Sequence, residues 1–130
     1  DELRAFLRDR VRGYEELEVL LLLHRHRDGG FTPRAIATEL KVSTDTAHVA
    51  LSNLEKSGLV AGGQGDDAAF RYRPAETELD QQVARLSTKY AEARLSIIEM
   101  MSSNAIARLR TSALHTFSEA FRVRGRKDGQ

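Results

Sequence analysis

The stretch "ATELKVSTDTAHVALSNLEKSGLV", residues 37–60, decides the fold. Its pattern predicts the end of one helix, a short turn, a second helix over residues 44–57 and the start of a strand. Ser43 or Thr44 can cap the second helix, and Gly58 fits the C′ position that ends it. Apolar residues recur at helical spacing and predict the buried face of this helix: Ala47, Ala50, Leu51 and Leu54.

Upstream of this stretch the pattern predicts three helices. Leu3, Leu7 and Val11 lie at i, i+4 and i+8 and indicate a first helix over residues 3–11, which Gly13 interrupts. A second, Leu-rich helix over residues 14–27 carries acidic residues in its first turn and basic residues in its last turn, as the helix dipole favours. Thr32-Pro33 then supplies an N-cap and a first helical residue for a short third helix.

Downstream, "LVAGG" and "AFRYR" are short strand candidates around the turn "GGQGDD". Phe70 and Tyr72 alternate with Arg71 and Arg73, so the second strand has one apolar face and one cationic face. Pro74 ends this strand. A hairpin is therefore expected directly after the second helix of the motif.

The remainder of the chain is expected to be helical. An apolar series with 4-3-4-3-4-3 spacing starts at Leu79 and ends at Met100, and Ser102-Ser103-Asn104 predicts a break before a last helix. Two interpretations are open: a hairpin in which residues 77–101 pack on 104–121, or a homodimer interface. The dimer interpretation assigns these interface residues: Leu79, Val83, Leu86, Tyr90, Ile97, Met100 and Phe117.

Composition excludes several functions. The chain has 130 residues, is 41% apolar and contains no cysteine, so disulfides, thiolate chemistry and Cys-rich zinc sites are excluded. The longest apolar run, residues 19–23, is far short of the ~20 residues that span a membrane, so a cytoplasmic protein is expected. The pairs His24/Asp28 and Asp45/His48 lack a third ligand, and no nucleophile motif is present. No metal, cofactor or enzymatic activity is predicted.

The order helix, short helix, turn, helix and hairpin is that of the winged helix-turn-helix. Residues 51–60, "LSNLEKSGLV", resemble the "L-x-x-L-E-K-x-G-L-V" wording of MarR-type bacterial regulators, and "IATELKVSTDTAHVAL" is similar to their helix-turn-recognition-helix stretch. The resemblance covers roughly residues 32–74. It implies a winged helix and a sequence-specific DNA-binding transcriptional regulator. With the helical segments outside the resemblance, we expect a mainly α protein with a small β-hairpin wing and a C-terminal helical extension, a part that departs from the compact MarR pattern. The dimer interpretation of this extension makes the regulator a homodimer.

The expected domain organisation follows from these segments. Residues 1–12 form an N-terminal helix, 13–75 the winged helix-turn-helix, 76–123 a helical dimerisation extension and 124–130 a basic flexible tail. The tail cations are interpreted as a solvated end, with a DNA-contacting arm or a membrane-surface patch as alternatives. A small-molecule or protein effector is a further partner that suits a regulator. Tyr14, Tyr90 and Phe117 are candidates to line its cleft, although core packing is the simpler role for each.

In winged-helix families the exposed face of the second helix enters the major groove and the wing lies along the phosphates. Carried over, this assigns base contacts to Thr44, Thr46, His48, Ser52 and Asn53. Phosphate contacts are assigned to Arg34, Lys41, Lys56, Arg71 and Arg73. The base-reading hypothesis depends on the polar flank with Thr46 and Asn53 facing outward.

The charge balance favours an alternative function. Residues 1–75 contain 11 Lys/Arg and 12 Asp/Glu, a net charge of 11 − 12 = −1, and Asp66 and Asp67 stand at the wing tip. DNA binding gains most of its affinity from cations that release counterions. The alternative is a protein-protein interaction module that does not bind DNA, in which Asp45, Val49 and the acidic wing contact a partner.

Overall fold

The computed structural model describes residues 2–63 and 68–128, with side chains up to residue 118. The described residues form six helices and one two-stranded antiparallel hairpin. In chain order these are α1 Glu2–Arg10, α2 Tyr14–Arg25, α3 Pro33–Leu40, α4 Thr44–Lys56, β1 Val60–Gly62, β2 Phe70–Tyr72, α5 Thr77–Glu92 and α6 Arg94–Asp128.

Side-chain caps fix the turn between α3 and α4. The hydroxyl of Thr32 accepts a hydrogen bond from the Ala35 N–H at 3.1 Å, with Pro33 at the first position of α3, as the sequence predicts. Ser43 caps α4, since its Oγ accepts from the Thr46 N–H at 3.0 Å. Lys41, the C-cap of α3, has φ 59° and ψ 45°, the left-handed conformation. Three residues therefore reverse the chain between two helices.

A glycine and a hairpin follow α4. Gly58 has φ 79°, the left-handed conformation expected at the C′ position, and its N–H donates to the Glu55 carbonyl at 3.0 Å. The strands β1 and β2 pair in the register Val60↔Tyr72 and Gly62↔Phe70. Phe31 adds an isolated bridge to Phe70 on the outer side of β2. The predicted hairpin is confirmed, and its turn residues 64–67 lie outside the described residues.

One apolar core holds the helices together. The inner face of α4 is completely buried, and α4 packs mainly against α2 and α3. Leucines of α2, Ile36 of α3 and Val83 of α5 belong to the same core. Because Ala47 and Ala50 are small, the backbone of α4 can lie close to its neighbours. The orientation of α4 therefore follows from which of its faces is apolar.

The break in the C-terminal helices lies at Ala93, and the expected break at Ser102-Ser103-Asn104 is wrong. Ala93 has φ −144° and ψ 61°, and α6 begins at Arg94 and continues through residues 102–104. Asn104 is buried, and its amide donates to the Arg4 carbonyl of α1 at 3.3 Å, so this residue docks α6 on α1. A polar residue that suggests a cap in the sequence is here a tertiary contact.

The heptad-like residues lie inside one protomer. Leu79, Val83, Leu86 and Ile97 are buried in the chain's own core, and Tyr90 and Met100 pack half-buried against it. Their assignment to a dimer interface therefore needs correction. The physical reason is that α5 and α6 pack on α1 and on each other, and the apolar series joins the protomer's own core. Of the expected interface residues, Phe117 is exposed.

Helix α1 belongs with the C-terminal helices. It packs on α5 and α6, and Arg85 of α5 forms an ion pair with Glu2 at 3.0 Å. Helix α6 has 35 residues, and residues 124–128, expected as a flexible tail, form its last turns. Within the described part of the chain, neither α6 nor any other helix has the length and apolar character needed to cross a membrane.

We predict that Gly58→Ala lowers the free energy of unfolding by about 1–2 kcal/mol, because an L-residue is strained in the left-handed conformation. A Cβ at this position also lies 3.4 Å from the Ala75 Cβ and 3.7 Å from the Leu79 side chain. Urea denaturation measures the change. Gly29→Ala is the control, since its Cβ has only a carbonyl oxygen at 4.0 Å. Equal losses in the two variants would contradict the assignment.

Candidate nucleic-acid interface

The outward face of α4 is mixed in character. Thr44, Asp45, Val49 and Ser52 are exposed, and His48 is half-buried at the edge of this face. Val49 is the most apolar member and is 61% exposed. The hydroxyls and the imidazole can hydrogen-bond base edges, and an aliphatic side chain can contact a thymine methyl. The chemistry needed to read bases is therefore present on the face that projects into solvent.

The flank of α4 that faces α2 is less accessible than the sequence suggests. Asn53 is half-buried, and its Nδ2 donates to Glu16 Oε2 at 3.1 Å, so the expected outward orientation of Asn53 is wrong. Thr46 is also half-buried, and its hydroxyl lies 2.8 Å from the Ser43 hydroxyl that donates to it. The accessible polar set on the outward face is therefore narrower than expected, with Thr44, His48 and Ser52 as its members.

The side chains assigned to phosphates are all accessible. Arg34 lies in the first turn of α3, Lys41 in the turn and Lys56 at the end of α4. The wing strand adds Arg71 and Arg73, which point away from the buried face of Tyr72. Among the described residues, no carboxylate pairs with any of the five. These cations are available to contact a polyanion.

Acidic groups also border this surface. Asp45 is exposed in the first turn of α4. Glu55 is tied to the wing, since its Oε2 accepts from the Gly62 N–H at 3.3 Å. Asp66 and Asp67, expected at the wing tip, lie outside the described residues. The surface therefore carries cations on the turn and the wing, and the exposed carboxylate of Asp45 on the recognition helix between them.

A polar cluster lies at the root of the wing. The Tyr72 hydroxyl donates to Asp80 Oδ1 at 2.7 Å, and the His24 ring meets the Tyr72 ring edge-on at 5.0 Å. Burial and this hydrogen bond raise the pKa of Tyr72. Burial, aided by nearby Arg27 and opposed by Asp80, lowers the pKa of His24. The His24 Nε2 is buried and has no hydrogen-bond partner among the residues that the structure describes, so a neutral imidazole suits this place.

A second cluster connects α2 with the α5–α6 junction. Arg94 donates to the Tyr14 hydroxyl at 2.7 Å, and its guanidinium lies 5.4 Å from the centre of the Tyr90 ring. The hydroxyls of Tyr14 and Tyr90 are 3.4 Å apart. Burial and this hydrogen bond raise the pKa of Tyr90 to about 12. Tyr14 also lines a cavity of about 290 Å³ between α2 and the turn, which neither Tyr90 nor Phe117 lines.

The sequence interpretation missed Glu16. Its side chain is only 9% exposed, and its two oxygens accept from the Arg12 N–H at 3.2 Å and from Asn53. The sequence does contain a pattern that indicates burial of Glu16. It precedes Leu20 and Leu23 by four and seven residues, which places it on the buried face of α2. Among the described residues, no group of three or more histidines and carboxylates is placed to hold a metal ion.

Comparison with known proteins identifies this arrangement. The model of the MarR family matches residues 13–68, which include α2, α3, α4 and the first strand of the wing. The fold is a winged helix, and this part of the chain is similar to the MarR family. The resemblance inferred from "LSNLEKSGLV" is thereby confirmed. A search of curated protein sequences found no significant match.

Solved structures share the winged-helix fold. The homodimeric winged helix-turn-helix DNA-binding domain of Mb0332 from Mycobacterium bovis is 24% identical, with a TM-score of 0.53 over 71% of this chain and 82% of that one. A MepR variant from S. aureus, bound to an oligodeoxyribonucleotide, is 17% identical, with a TM-score of 0.54 over 92% and 87%. The adhesin competence repressor AdcR from Streptococcus pyogenes is 18% identical, with a TM-score of 0.51 over 87% and 82%. These likenesses establish the fold.

We predict that His24→Phe flattens the acid dependence of stability while keeping the ring contact with Tyr72. Because the folded pKa of His24 lies below its unfolded value of about 6.5, the unfolded chain binds the proton first, and stability is lost as pH falls. Urea midpoints measured from about pH 7 to about pH 5 should fall more steeply in the wild type. Parallel curves for the two proteins would show that His24 does not contribute.

Proposed function

We propose that this chain is a sequence-specific DNA-binding transcriptional regulator that acts as a homodimer in the bacterial cytoplasm, and that it is not an enzyme. The observation that carries the proposal is the MarR-type winged helix with a solvent-facing recognition helix, α4. The DNA-bound MepR variant and the homodimeric Mb0332 domain, which share the fold, support the partner and the assembly.

The recognition helix is assigned to the major groove, with Thr44, His48 and Ser52 reading base edges. Val49 is added to this set, since its exposed methyl groups suit a thymine methyl. Asn53 is assigned a different role, because its amide nitrogen already bonds Glu16. Thr46 is left at the edge of the reading face.

Phosphate contacts are assigned to the five accessible cations, two of which lie on the wing. Five cations per protomer are few for a surface that also exposes Asp45. Two protomers bound to adjacent half-sites double the count, and the affinity then rises through the effective concentration of the second site. The near-neutral motif is therefore compatible with DNA binding only as a dimer.

We place the dimer interface on the outer face of α6. At about 100° per residue, this face lies opposite the buried Ile97, Met101 and Asn104, which pack toward the protomer. Its apolar residues are between 51% and 70% exposed: Leu95, Ile106, Leu109 and Phe117. Leu114, 68% exposed, lies at its edge. A helix that is apolar on both sides needs a second surface to cover it.

The protein-interaction alternative is favoured by one observation. Asp45 and Val49 stand together with Glu15 around a shallow apolar depression. A partner with a basic and an apolar group would fit this surface. The accessible cations on the turn and the wing favour DNA, and the two functions differ in their response to salt.

We predict that duplex affinity falls steeply with salt. Ten phosphate contacts in a dimer, five from each protomer, give a log-log slope of about −9. Arg71→Ala should reduce this slope by about 2, one unit per protomer, and weaken all sequences alike. Ser52→Ala should instead relax the preference at one base pair of each half-site. Binding titrations at several salt concentrations measure both, and retention no better than that of an unrelated neutral protein would reject the proposal.

We predict that Leu109→Glu dissociates the dimer, because it places a charge in the centre of the apolar outer face of α6. Sedimentation velocity should show a monomer, and duplex affinity should fall with it. Thr111→Glu is the control: the residue is exposed on the same helix but away from this face. A dimer that survives Leu109→Glu would mean that another surface joins the protomers.

A further inference from the structure

A path of hydrogen bonds connects helix α6 to the recognition helix. Arg108 of α6 donates from Nη2 to the Arg12 carbonyl at 2.8 Å. The N–H of the same Arg12 donates to Glu16 Oε1 at 3.2 Å, and Glu16 Oε2 accepts from Asn53 Nδ2 at 3.1 Å. We name these four residues the Arg108–Asn53 path. It reaches from the proposed dimer helix to the last turn of α4 through the backbone of one residue, Arg12, and one buried carboxylate.

A second connection runs beside this path. Arg10, at the end of α1, donates from Nη1 to the Ser57 carbonyl at 2.8 Å, and the Ser57 hydroxyl donates back to the Arg10 carbonyl at 3.1 Å. Ser57 is the residue that ends α4, and α1 packs on α6. The same end of the recognition helix is therefore bonded twice to the body formed by α1, α5 and α6.

Several of these hydrogen bonds cross a polar part of the junction between α1, α2 and α4. A polar cavity of about 420 Å³ lies between α1, α2 and α4, and its walls include Arg12, Glu16, Asn53 and Ser57. Glu16 is 9% exposed, so the loss of a donor leaves a carboxylate poorly solvated. The cavity leaves room for the helices to shift, and the bonds across it restrict that shift.

We propose that Glu16 and Arg108 are positioning residues that fix the orientation of α4 relative to α6, and thereby set the half-site spacing the homodimer selects. The spacing rests on the proposed function. Arg108 lies between Ile106 and Leu109 in sequence, but its side chain is on the opposite side of α6, which faces the protomer. A shift of α6 at the dimer contact is therefore passed through Arg108 to the Arg12 backbone, to Glu16 and to the end of the recognition helix.

The orientation is tested without DNA by spin labels in the full chain. Since the chain has no cysteine, Val49→Cys and Thr111→Cys place one label on α4 and one on α6. Dilution with unlabelled chain leaves only distances within a protomer. We expect one narrow distance distribution, which Glu16→Ala and Arg108→Ala broaden or shift.

Arg85→Ala is the matched control for this measurement, because it removes an arginine bond between α5 and α1 that is not on the path. Its distribution should match that of the parent. If Glu16→Ala fails to fold, Arg108→Ala decides alone, since it removes only a surface side chain. Equal distributions for Arg108→Ala and Arg85→Ala would overturn the proposal.

The spacing is tested on a duplex that the wild-type chain selects from a randomised pool. Copies with one base pair inserted or removed between the half-sites measure discrimination. We expect Arg108→Ala to reduce this discrimination at least about fivefold, the lower end of ordinary coupling between sites, with Arg85→Ala unchanged. A merely destabilised protein would lose affinity for all spacings alike.

The label distances and the duplex selection test different parts of the proposal. Unchanged discrimination in a variant whose label distances have moved would overturn the link to spacing. A wild-type chain that selects no duplex would reject the proposed function, and the label distances would still decide whether the path orients α4.

Discussion

The complete burial of one face of α4 is the constraint from which the functional surface follows. Ala47, Ala50, Leu51 and Leu54 leave no other way to place this helix on α2 and α3, so the opposite face must project into solvent. The left-handed Gly58 then turns the chain into the wing on the same side of the molecule. The reading face and the cationic strand are thus positioned by apolar contacts and one backbone conformation. Hydrogen bonds that Glu16 accepts from Asn53 and Glu55 accepts from the first wing strand add to this placement.

The net charge of residues 1–75 is a poor guide to whether this protein binds DNA. The wing and the turn between α3 and α4 hold accessible cations, whereas several carboxylates of the motif are used internally. Glu16 bonds the α1–α2 junction and α4, and Glu55 bonds the first wing strand. In a count of the charges in the sequence, these carboxylates oppose DNA binding. In the fold, their hydrogen bonds hold α4 and the first wing strand in place.

Patterns among neighbouring residues were sufficient to predict the elements of the winged helix. They were not sufficient to predict where the helices of the C-terminal extension break. Caps, Gly58 and the alternation of Phe70 to Arg73 could be read directly, because each depends on neighbours within a few residues. The break at Ala93 and the continuity of α6 through Asn104 depend on contacts with α2 and α1 that are far apart in sequence. The 4-3 spacing from Leu79 correctly indicated a buried stripe. Spacing alone does not say whether the same protomer or a second one covers it, and here the protomer does.

The conformation of Lys41 connects the stability of the turn with its chemistry. A lysine at φ 59° holds a backbone that glycine would adopt at lower cost, by about 1 kcal/mol. Glycine there would remove the cation that the turn presents beside the recognition helix. If Lys41 contacts phosphate as proposed, the stability of the fold and the affinity for DNA therefore favour different residues at this position. A screen for more thermostable variants should therefore select Lys41→Gly, and the gain in stability should be accompanied by a lower affinity for DNA.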